Sequence, residues 1–515
     1  AKQRLASWLA HQSCEGFDAT QAARVTLVSK DADALELELT RAAAQIEGAP
    51  EQAFATPSGT HYGVGPLEGD VALLFPGQGS QYLDMGSELA QHFDAAIGAW
   101  DDAASVSGGW DTQLASVVFP ITAFTEQQAE AQRARLNATE WAQPAIACVS
   151  LAQLALLSEL GLGAQQVAGH SFGEVMALHA AGCFDAESAV RIARRRGELM
   201  AAAAKHPGAM LALTTDSETA GRLLTELQGS APEAARVVIA NHNGPKQVVL
   251  SGRSEGIEAA ERFFEAQGIG TRRLPVATAF HSEVVSDASA EFADFLQAIE
   301  LGAPKLAAYA NSSAARYPAD SSEIKRALAA QLSLPVRFVE QVEAMYQSGV
   351  RTFLEVGPGS VLSGLVGSIL GDRPHRAIAL DRKGKHGVTA FFEGLAALSA
   401  AGVRLELSAL WRGFAAPIDP ATISEPRLVL PPNGSNYQKP YPPSGGAAAL
   451  PPPNPKQAES MSTRSQSNGH GAPQAHAVAS TPVASPPDNS PPVAAHGAGS
   501  NGAALHPGPN GAAYP

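Results

Sequence analysis

Cysteine is scarce in this chain and is not arranged in pairs. The 515 residues include three cysteines, Cys14, Cys148 and Cys183, at wide spacing and without a CxxC motif. An odd and scattered set of this kind excludes a disulfide framework and matches no zinc site. The sequence therefore predicts a reducing, cytoplasmic setting and no metal centre.

Positive charge is also in short supply, and uninterrupted hydrophobic runs are missing. The formal net charge is −14, so no field covers the protein that would attract nucleic acid or an anionic membrane. The longest apolar stretch, PAIACVSLAQLALLSELGLG, contains Ser, Gln and Glu, which is typical of a buried helix rather than a membrane span. The first residues include neither an initiator Met nor the apolar core of a signal peptide. We therefore expect a piece of a longer polypeptide, with no nucleic-acid partner and no membrane span.

The apolar sequence that is present suffices for a large core, but it is distributed unevenly. Hydrophobic residues make up 45% of the chain, and a chain this long usually splits into more than one domain. Residues 1–70 hold one strand-like run, RVTLVS, and one helical run, DALELELTRAAAQIEG, followed by a polar loop, which is too little for a self-sufficient domain. Residues 442–515 are rich in Pro, Gly, Ala, Ser and Asn, which predicts a disordered, partly extended linker.

Strand and helix patterns alternate between these two ends. The run DVALLFPGQGSQ, at 70–81, passes from an apolar strand into a glycine-rich turn, and TFLEVGPG, at 352–359, is a second buried strand and turn. Residues 207–276 follow instead the order βαββαβ of a ferredoxin-like unit. We predict an α/β fold in which a core with a parallel sheet, 71–206 and 277–375, carries this ferredoxin-like subdomain as an insertion. The crevice between the two is the expected place for a site.

The run VAGHSFGEV contains a serine between two glycines. Gly169, Ser171 and Gly173 match the G-x-S-x-G nucleophile elbow, with an apolar strand before them and a helix after them. The backbone N–H of Phe172 is the usual first oxyanion donor of such a turn. The alternative is a turn serine that caps a helix, which the pattern without its context favours about equally.

A serine nucleophile needs a base, and the chain has fourteen histidines. His281, in VATAFHSEVV, follows a strand that leaves the predicted insertion and re-enters the core at the crevice. This position makes it the best candidate for a general base. A packed or surface histidine is the commoner outcome for a lone His after a strand, and that interpretation stays open.

One arginine lies on the apolar face of a predicted helix. In ESAVRIARRRGELM the apolar residues recur at helical spacing, and Arg196 falls in the middle of their stripe. A buried guanidinium must find an anion or hydrogen-bond acceptors. It pairs either with a structural carboxylate, such as Glu174 or Glu355, or with a substrate carboxylate through a bidentate fork. The helix alone favours neither.

Taken together and in order, six motifs between about residues 71 and 375 resemble the malonyl-CoA:acyl carrier protein acyltransferase family of fatty acid and polyketide synthases. They are LFPGQGSQYLDMG, GHSFGE, RRRGELM, TAFHS, QLSLPVRF and FLEVGPGSVLSGL. The resemblance implies a hydrolase-like α/β core and assigns one role to each matching residue. Ser171 is the acylated nucleophile, His281 its base, Gln78 and Phe172 the oxyanion donors, Arg196 the carboxylate ligand, Phe280 a pocket residue that favours malonyl, and Gln331 the position that orients the histidine through backbone carbonyl oxygen.

The flanks narrow the resemblance to multienzymes of the polyunsaturated fatty acid and polyketide type. Residues 1–70 are similar to a linker between a ketosynthase and an acyltransferase, and 376–441 are similar to the segment after the acyltransferase. The implied partners are acyl carrier protein domains and a neighbouring ketosynthase domain. The implied reaction uses malonyl-CoA and the phosphopantetheine of the acceptor, and needs no permanently bound cofactor.

Two other interpretations remain at this stage. A serine thioesterase or esterase predicts an acidic residue as third member of a triad and no buried arginine. A noncatalytic scaffold domain predicts loss of Ser171 or His281, and both residues are present. Selectivity broader than malonyl is also open, because one methyl group in a pocket is worth only about 1–3 kcal/mol.

Overall fold

The computed structural model describes residues 2–203, 208–276 and 278–423, and the structural statements below concern these ranges. The strands are β1 Ala23–Leu27, β2 Phe54–Ala55, β3 Thr60–Val64, β4 Asp70–Phe75, β5 Gln166–Gly169, β6 Gly208–Leu213, β7 Val238–Gly244, β8 Gln247–Arg253, β9 Thr271–Arg273, β10 Ala307–Tyr309, β11 Val336–Arg337, β12 Val350–Glu355 and β13 Arg376–Ala379.

The helices cover a larger share of the described chain. They are α1 Lys2–Gly16, α2 Ala32–Gly48, α3 Ser87–His92, α4 Asp94–Val106, α5 Leu114–Val118, α6 Glu126–Asn137, α7 Thr139–Glu159, α8 Gly173–Ala180, α9 Ala186–Ala203, α10 Ser217–Ser230, α11 Ser254–Ala266, α12 Ser286–Gln297, α13 Ser321–Ala330, α14 Phe338–Gln347, α15 Val361–Leu370 and α16 Gly387–Ala401.

A five-stranded parallel sheet with the order β10-β5-β4-β12-β13 forms the centre of the core. Successive side chains of its middle strand point to opposite faces. Leu73 and Phe75 therefore enter one hydrophobic cluster, and Ala72 and Leu74 enter a second one on the other face. This burial on both faces is what keeps parallel strands almost continuously apolar.

The longest of these helices, α7, lies inside this core. By length and composition it could cross a membrane, but 83% of its apolar window is buried within the protein. It packs closely along α9: a Cβ added at Gly197 would lie only 2.5 Å from the carbonyl oxygen of Thr139. The apolar stretch broken by Ser, Gln and Glu is thus a core helix.

A second five-stranded sheet has the order β11-β7-β8-β6-β9. Its strands β6 to β9, with helices α10 and α11, follow the βαββαβ order, and their pairings are antiparallel. It has its own hydrophobic cluster, which includes Leu250, Ile257 and Phe264. The predicted α/β class, with a parallel-sheet core and a separate small-sheet subdomain, is confirmed. The sequence pattern did not show β11, a two-residue strand that comes from beyond the subdomain and pairs in parallel with β7.

The two flanks contain more structure than their sequence indicated. Residues 1–70 add helix α1 and a three-stranded antiparallel sheet with the order β1-β3-β2, so the predicted polar loop is partly strand. The buried side chain of Arg24 donates to the carbonyl oxygens of Ala400 and Gly65, which fastens this sheet to α16. A Cβ at Gly63 would lie 1.8 Å from the Ala400 oxygen, so the contact requires glycine.

The parallel sheet also extends beyond residue 375, where the sequence pattern placed the end of the core. Strand β13 pairs with β12 over four residues, and Leu380 directly after it is fully buried. A short strand preceded by the polar run GDRPH gives little periodic signal, which explains the early boundary. The remainder of the predicted 376–441 segment after residue 423, and the predicted linker 442–515, lie outside the described residues.

Candidate active site

Ser171 occupies a sharp turn between β5 and α8. Its φ is +52°, a left-handed conformation that residues other than glycine seldom adopt. The turn is closed so tightly that a Cβ at Gly169 would lie 1.9 Å from the backbone of Gly173, and a Cβ at Gly173 would lie 1.9 Å from the Phe75 oxygen. Both flanking glycines are therefore required. The hydroxyl bonds to a histidine and does not cap the helix, so the structure disfavours the capping alternative.

Asn311 holds this turn from the neighbouring strand. It lies just after β10, is fully buried, and its Oδ1 accepts from the Ser171 N–H at 2.6 Å. Its Nδ2 donates to the Gly169 carbonyl oxygen at 2.5 Å. One amide thus bridges both sides of the strained turn. The sequence did not single out Asn311, because asparagine in YANSS is equally typical of a solvent-exposed turn.

His281 lies against the serine. Its Nε2 is 2.8 Å from Ser171 Oγ, and its Nδ1 is 3.1 Å and 2.9 Å from the carbonyl oxygens of Gln331 and Leu334. Carbonyl oxygens only accept, so Nδ1 carries the proton and Nε2 is free to accept one from the hydroxyl. The predicted orientation by backbone carbonyl oxygen agrees with this geometry.

The environment of His281 keeps the ring neutral. His281 is 3% exposed. Burial, together with the positive charge of Arg196, lowers the pKa of His281 to about 3. At neutral pH the ring is therefore a base with no proton on Nε2. Its φ is +56°, so both members of the pair have strained backbones.

Two backbone N–H groups near the serine are the candidate oxyanion donors. Within the described residues, neither the N–H of Phe172 nor that of Gln78 donates to another protein group. The Phe172 side chain is fully buried in the main hydrophobic cluster. The loop that carries Gln78 approaches the elbow closely, since a Cβ at Gly77 would lie 2.4 Å from the His170 oxygen. This arrangement is compatible with the predicted oxyanion hole.

Arg196 is a buried cation with no direct counter-ion among the described residues. It is 1% exposed; its Nη1 donates to Gln143 Oε1 and its Nη2 to Gln331 Oε1, each at 3.0 Å. Its Nε has no hydrogen-bond partner in the described part of the chain. Burial lowers the pKa of Arg196 to about 10, so the guanidinium is charged at neutral pH. Neutral amides fix the fork in place but leave its charge unpaired.

The two carboxylates that could have paired with this arginine have other partners. Glu174 accepts a hydrogen bond from the hydroxyl of Tyr317 and attracts Arg196 only through space. Burial raises the pKa of Glu174 to about 7, which weakens that attraction further. Glu355 accepts from the backbone N–H groups of Leu362 and Ser363. Arg196 therefore forms no structural ion pair with either carboxylate. The remaining interpretation is that its guanidinium binds a substrate carboxylate.

Gln331 connects the groups just described. Its Oε1 accepts from Arg196, its Nε2 donates to the Ser171 carbonyl oxygen at 2.8 Å, and its backbone oxygen faces His281. The structure thus brings Ser171, His281, Arg196 and Gln331 into one hydrogen-bonded group. Phe280, next to the histidine, is 8% exposed and belongs to the main hydrophobic cluster.

Comparison with known proteins shows what this chain is similar to. Residues 72–393 match the family described as acyl transferase domain. The chain is 37% identical over 300 residues to the malonyl CoA-acyl carrier protein transacylase of Bacillus subtilis. This match covers 58% of this chain and 89% of the relative. It is 34% identical over 319 residues to a polyunsaturated fatty acid synthase polypeptide of Thraustochytrium sp., covering 60% of this chain and 11% of that protein.

A solved structure gives the same result for the fold. The acyltransferase domain from the second module of the salinomycin polyketide synthase superposes with a TM-score of 0.65 at 28% identity. The match covers 79% of this chain and 88% of that domain. The similarity therefore includes the parallel-sheet core and a large part of what surrounds it.

Proposed function

The chain belongs to the acyl transferase domain family, and on that basis we propose that it moves a malonyl group from malonyl-CoA, through an ester on Ser171, to the phosphopantetheine thiol of an acyl carrier protein. The observation that carries this proposal is the unpaired charge of Arg196. A fully buried guanidinium with neutral amide partners lies one side chain away from a serine–histidine pair. A carboxylate at the far end of the acyl group supplies the missing anion.

The first half-reaction acylates the serine. His281 Nε2 takes the proton of Ser171 as Oγ attacks the thioester carbonyl carbon, and the new negative charge on oxygen is stabilised by the N–H groups of Phe172 and Gln78. The C–S bond then breaks, and the proton on His281 passes to the leaving sulfur of CoA. The enzyme is left as a malonyl-serine ester with a neutral histidine.

The second half-reaction reverses the roles with a different thiol. His281 removes the proton of the phosphopantetheine thiol, the sulfur attacks the ester carbonyl, and the same two N–H groups stabilise the charge. The C–O bond breaks and Ser171 recovers its proton from His281. No metal or permanently bound cofactor takes part in this proposed sequence.

A hydrolase would transfer the acyl group to water instead. The site disfavours that role, because the partners of His281 Nδ1 are backbone carbonyl oxygens and not the carboxylate of a triad. A buried arginine also has no use in an enzyme for uncharged esters. Holding the acyl group by its carboxylate fixes the ester for the incoming thiol.

The setting we propose is a multienzyme in the cytoplasm. The relative in Thraustochytrium is part of a polyunsaturated fatty acid synthase, and this chain spans 11% of its length. In such a setting acyl carrier protein domains receive the malonyl group, and a ketosynthase domain is the neighbour that uses it. The segment 1–70 packs on the core through Arg24, as suits a rigid connection to such a neighbour.

The test is transfer from labelled malonyl-CoA to a phosphopantetheinylated acyl carrier protein, with the enzyme adduct mapped by peptide mass spectrometry. We expect a malonyl group on the peptide that contains Ser171, followed by its appearance on the carrier thiol. Ser171→Ala should lose both signals, whereas Ser105→Ala, which changes an exposed serine of α4, should lose neither. An adduct that persists in Ser171→Ala, or malonate released to water without transfer to the carrier, would overturn the proposal.

A further inference from the structure

A second set of hydrogen bonds leads from Arg196 to the loop that carries Gln78. Arg196 Nη1 donates to Gln143 Oε1 at 3.0 Å, and Gln143 Nε2 donates to Thr139 Oγ1 at 2.8 Å. The Thr139 hydroxyl donates in turn to Gln78 Oε1 at 2.7 Å. Three contacts therefore join the carboxylate ligand to the residue whose backbone N–H is the candidate oxyanion donor.

The Arg196 end of this hydrogen-bond chain can run in one direction only. A guanidinium has no acceptor, so the oxygen of the Gln143 amide must face Arg196 and its NH2 group must face Thr139. The Thr139 hydroxyl oxygen accepts from Gln143, and in the structure its proton is donated to Gln78 Oε1. Arg196 thus fixes the orientation of the Gln143 amide, and the structure continues the same direction of donation to Gln78, although Arg196 and Gln78 do not touch.

The middle of this hydrogen-bond chain, at Gln143 and Thr139, is held in place by packing. Gln143 is fully buried and Thr139 is 8% exposed, both on α7. The glycine after Arg196 lets α7 approach α9: a Cβ at Gly197 would lie 2.5 Å from the Thr139 oxygen and 2.6 Å from the Glu140 Cα. Hydrogen bonds between buried groups polarise one another, and the link to Gln78 is part-buried, so we expect a change at Arg196 to reach Gln78.

We propose that Thr139 and Gln143 are positioning residues that couple carboxylate recognition at Arg196 to the oxyanion loop at Gln78. A bound carboxylate offsets the charge that polarises this chain, and the alignment of the Gln78 loop responds. Selectivity for a carboxylated acyl group then appears in the rate of acylation and not only in binding. This inference rests on the proposed function, since it assigns Arg196 to the acyl carboxylate.

The test is a double-mutant cycle between Arg196→Ala and Thr139→Val, with acylation by malonyl-CoA measured in single turnovers. Thr139→Val keeps the branched shape and removes the hydroxyl that links Gln143 to Gln78. We expect it to lower the maximal acylation rate about 10-fold with KM changed less than about 2-fold, since donors at an oxyanion act in the transition state. In the Arg196→Ala background the same change should cost less than about 3-fold, because residues in one network are not additive.

Three further variants separate positioning from packing. Thr139→Ser keeps the hydroxyl and should stay within about 3-fold of the wild type, since it preserves the hydrogen bond. Thr352→Val removes a buried hydroxyl that has no partner among the described residues, and it should leave acylation unchanged. Gln78→Met removes the accepting amide and keeps the backbone N–H. It should reproduce the rate loss of Thr139→Val, and the two together should cost no more than either alone.

The outcomes distinguish this inference from the proposed function. Additive losses in the cycle, a Thr139→Ser variant as slow as Thr139→Val, or a loss confined to KM would overturn the coupling and leave the acyl transfer intact. If Thr139→Val lowers the Tm, Gln78→Met in the Arg196→Ala background decides the question by the same criterion. A wild-type protein that forms no malonyl adduct on Ser171 would overturn both.

Discussion

The two five-stranded sheets of this protein contribute differently to the site. In the parallel sheet the chain leaves three neighbouring strands at the same edge, so that Gln78 after β4, Ser171 after β5 and Asn311 after β10 come together. In the second sheet the neighbouring strands among β6 to β9 are antiparallel and end at opposite edges. That sheet has its own core, and one contact from it to the elbow is Asn243 of β7, whose Oδ1 is 2.7 Å from His170 Nε2.

This difference shows why chemistry accumulates at one sheet. Parallel strands bring residues that are distant in sequence to a single crevice, which favours a catalytic group assembled from many loops. An antiparallel insertion instead supplies a stable wall and a well-defined exit point. His281 lies just beyond that exit, in the segment that returns from β9 to the core. The following predictions separate the two contributions.

The largest effect on the acylation rate is expected from replacing His281, the residue at the junction between the two sheets. His281→Ala removes the base, and acylation of Ser171 by malonyl-CoA should fall by about 10²–10⁴-fold, the usual contribution of a positioned general base. Single-turnover kinetics with radiolabelled malonyl-CoA measure this loss. A variant that acylates at a tenth of the wild-type rate or faster would show that another group takes the proton.

A core substitution in the small sheet should affect stability and spare the chemistry. Phe264 is fully buried in the cluster of that sheet, and Phe264→Ala should lower the free energy of unfolding by about 3–5 kcal/mol. Urea titration followed by circular dichroism measures the loss. At 10 °C and without denaturant, the folded variant should acylate Ser171 at the wild-type rate. A large fall in that rate with the fold intact would mean that the small sheet does more than form a wall.

One asparagine from each sheet provides a matched pair. Asn311→Ala leaves the Gly169 oxygen and the Ser171 N–H without their buried partner, which costs about 1–3 kcal/mol per group. We expect acylation to fall about 10–100-fold, because a misaligned nucleophile loses much of its orientation advantage. Asn243→Ala in the small sheet should change the rate less than about 3-fold. Equal losses in the two variants would remove the proposed distinction.

The smallest effect concerns pH. The pKa of His281 is lowered to about 3 by burial and by the charge of Arg196, so its protonation should not slow acylation between about pH 8 and pH 5. Arg196→Ala removes one of these causes and should move the acid limb of the rate profile to higher pH. A limb near pH 6.5 in the wild type would mean that the ring is not desolvated.

The lowered pKa of His281 also makes the stability of the folded protein depend on pH. The unfolded chain, in which histidine has its ordinary pKa near 6.5, binds a proton on His281 before the folded protein does. Stability from this residue should therefore be complete above about pH 6.5 and decline as the pH falls toward 3. The decline should be smaller in a His281→Phe variant, as measured by Tm against pH, and the part that remains comes from His61, His170 and His179, whose pKa values burial also lowers.

Sequence reasoning found the residues that carry a local signal. The elbow at Ser171 can be recognised from the glycines two positions away on each side. The burial of Arg196 can be predicted from the apolar residues around it on one helix. The ferredoxin-like order was visible because each of its elements has its own periodicity. Such signals come from neighbours in the chain, and these are what a single sequence displays.

The sequence did not reveal the residues whose role depends on partners far away. Asn311, Gln143 and Thr139 form hydrogen bonds with groups that are between 53 and 142 residues away in the sequence. These bonds hold the elbow, the Arg196 side chain and the Gln78 side chain, respectively. Each belongs to a residue type that is common on surfaces and in turns, so nothing local marks it. The short strands β11 and β13 were missed for the same reason: pairing with a distant strand, and not their own two or four residues, defines them.

The most direct test of the account is a competition between equal concentrations of malonyl-CoA and acetyl-CoA, with the adduct on Ser171 identified by mass spectrometry. The wild type should carry mainly malonyl, because Arg196 offers its unpaired charge to the carboxylate. Arg196→Ala should carry much less malonyl than the wild type and mainly acetyl on the same serine. An unchanged ratio of malonyl to acetyl in the variant would contradict the claim that this buried arginine selects the acyl group.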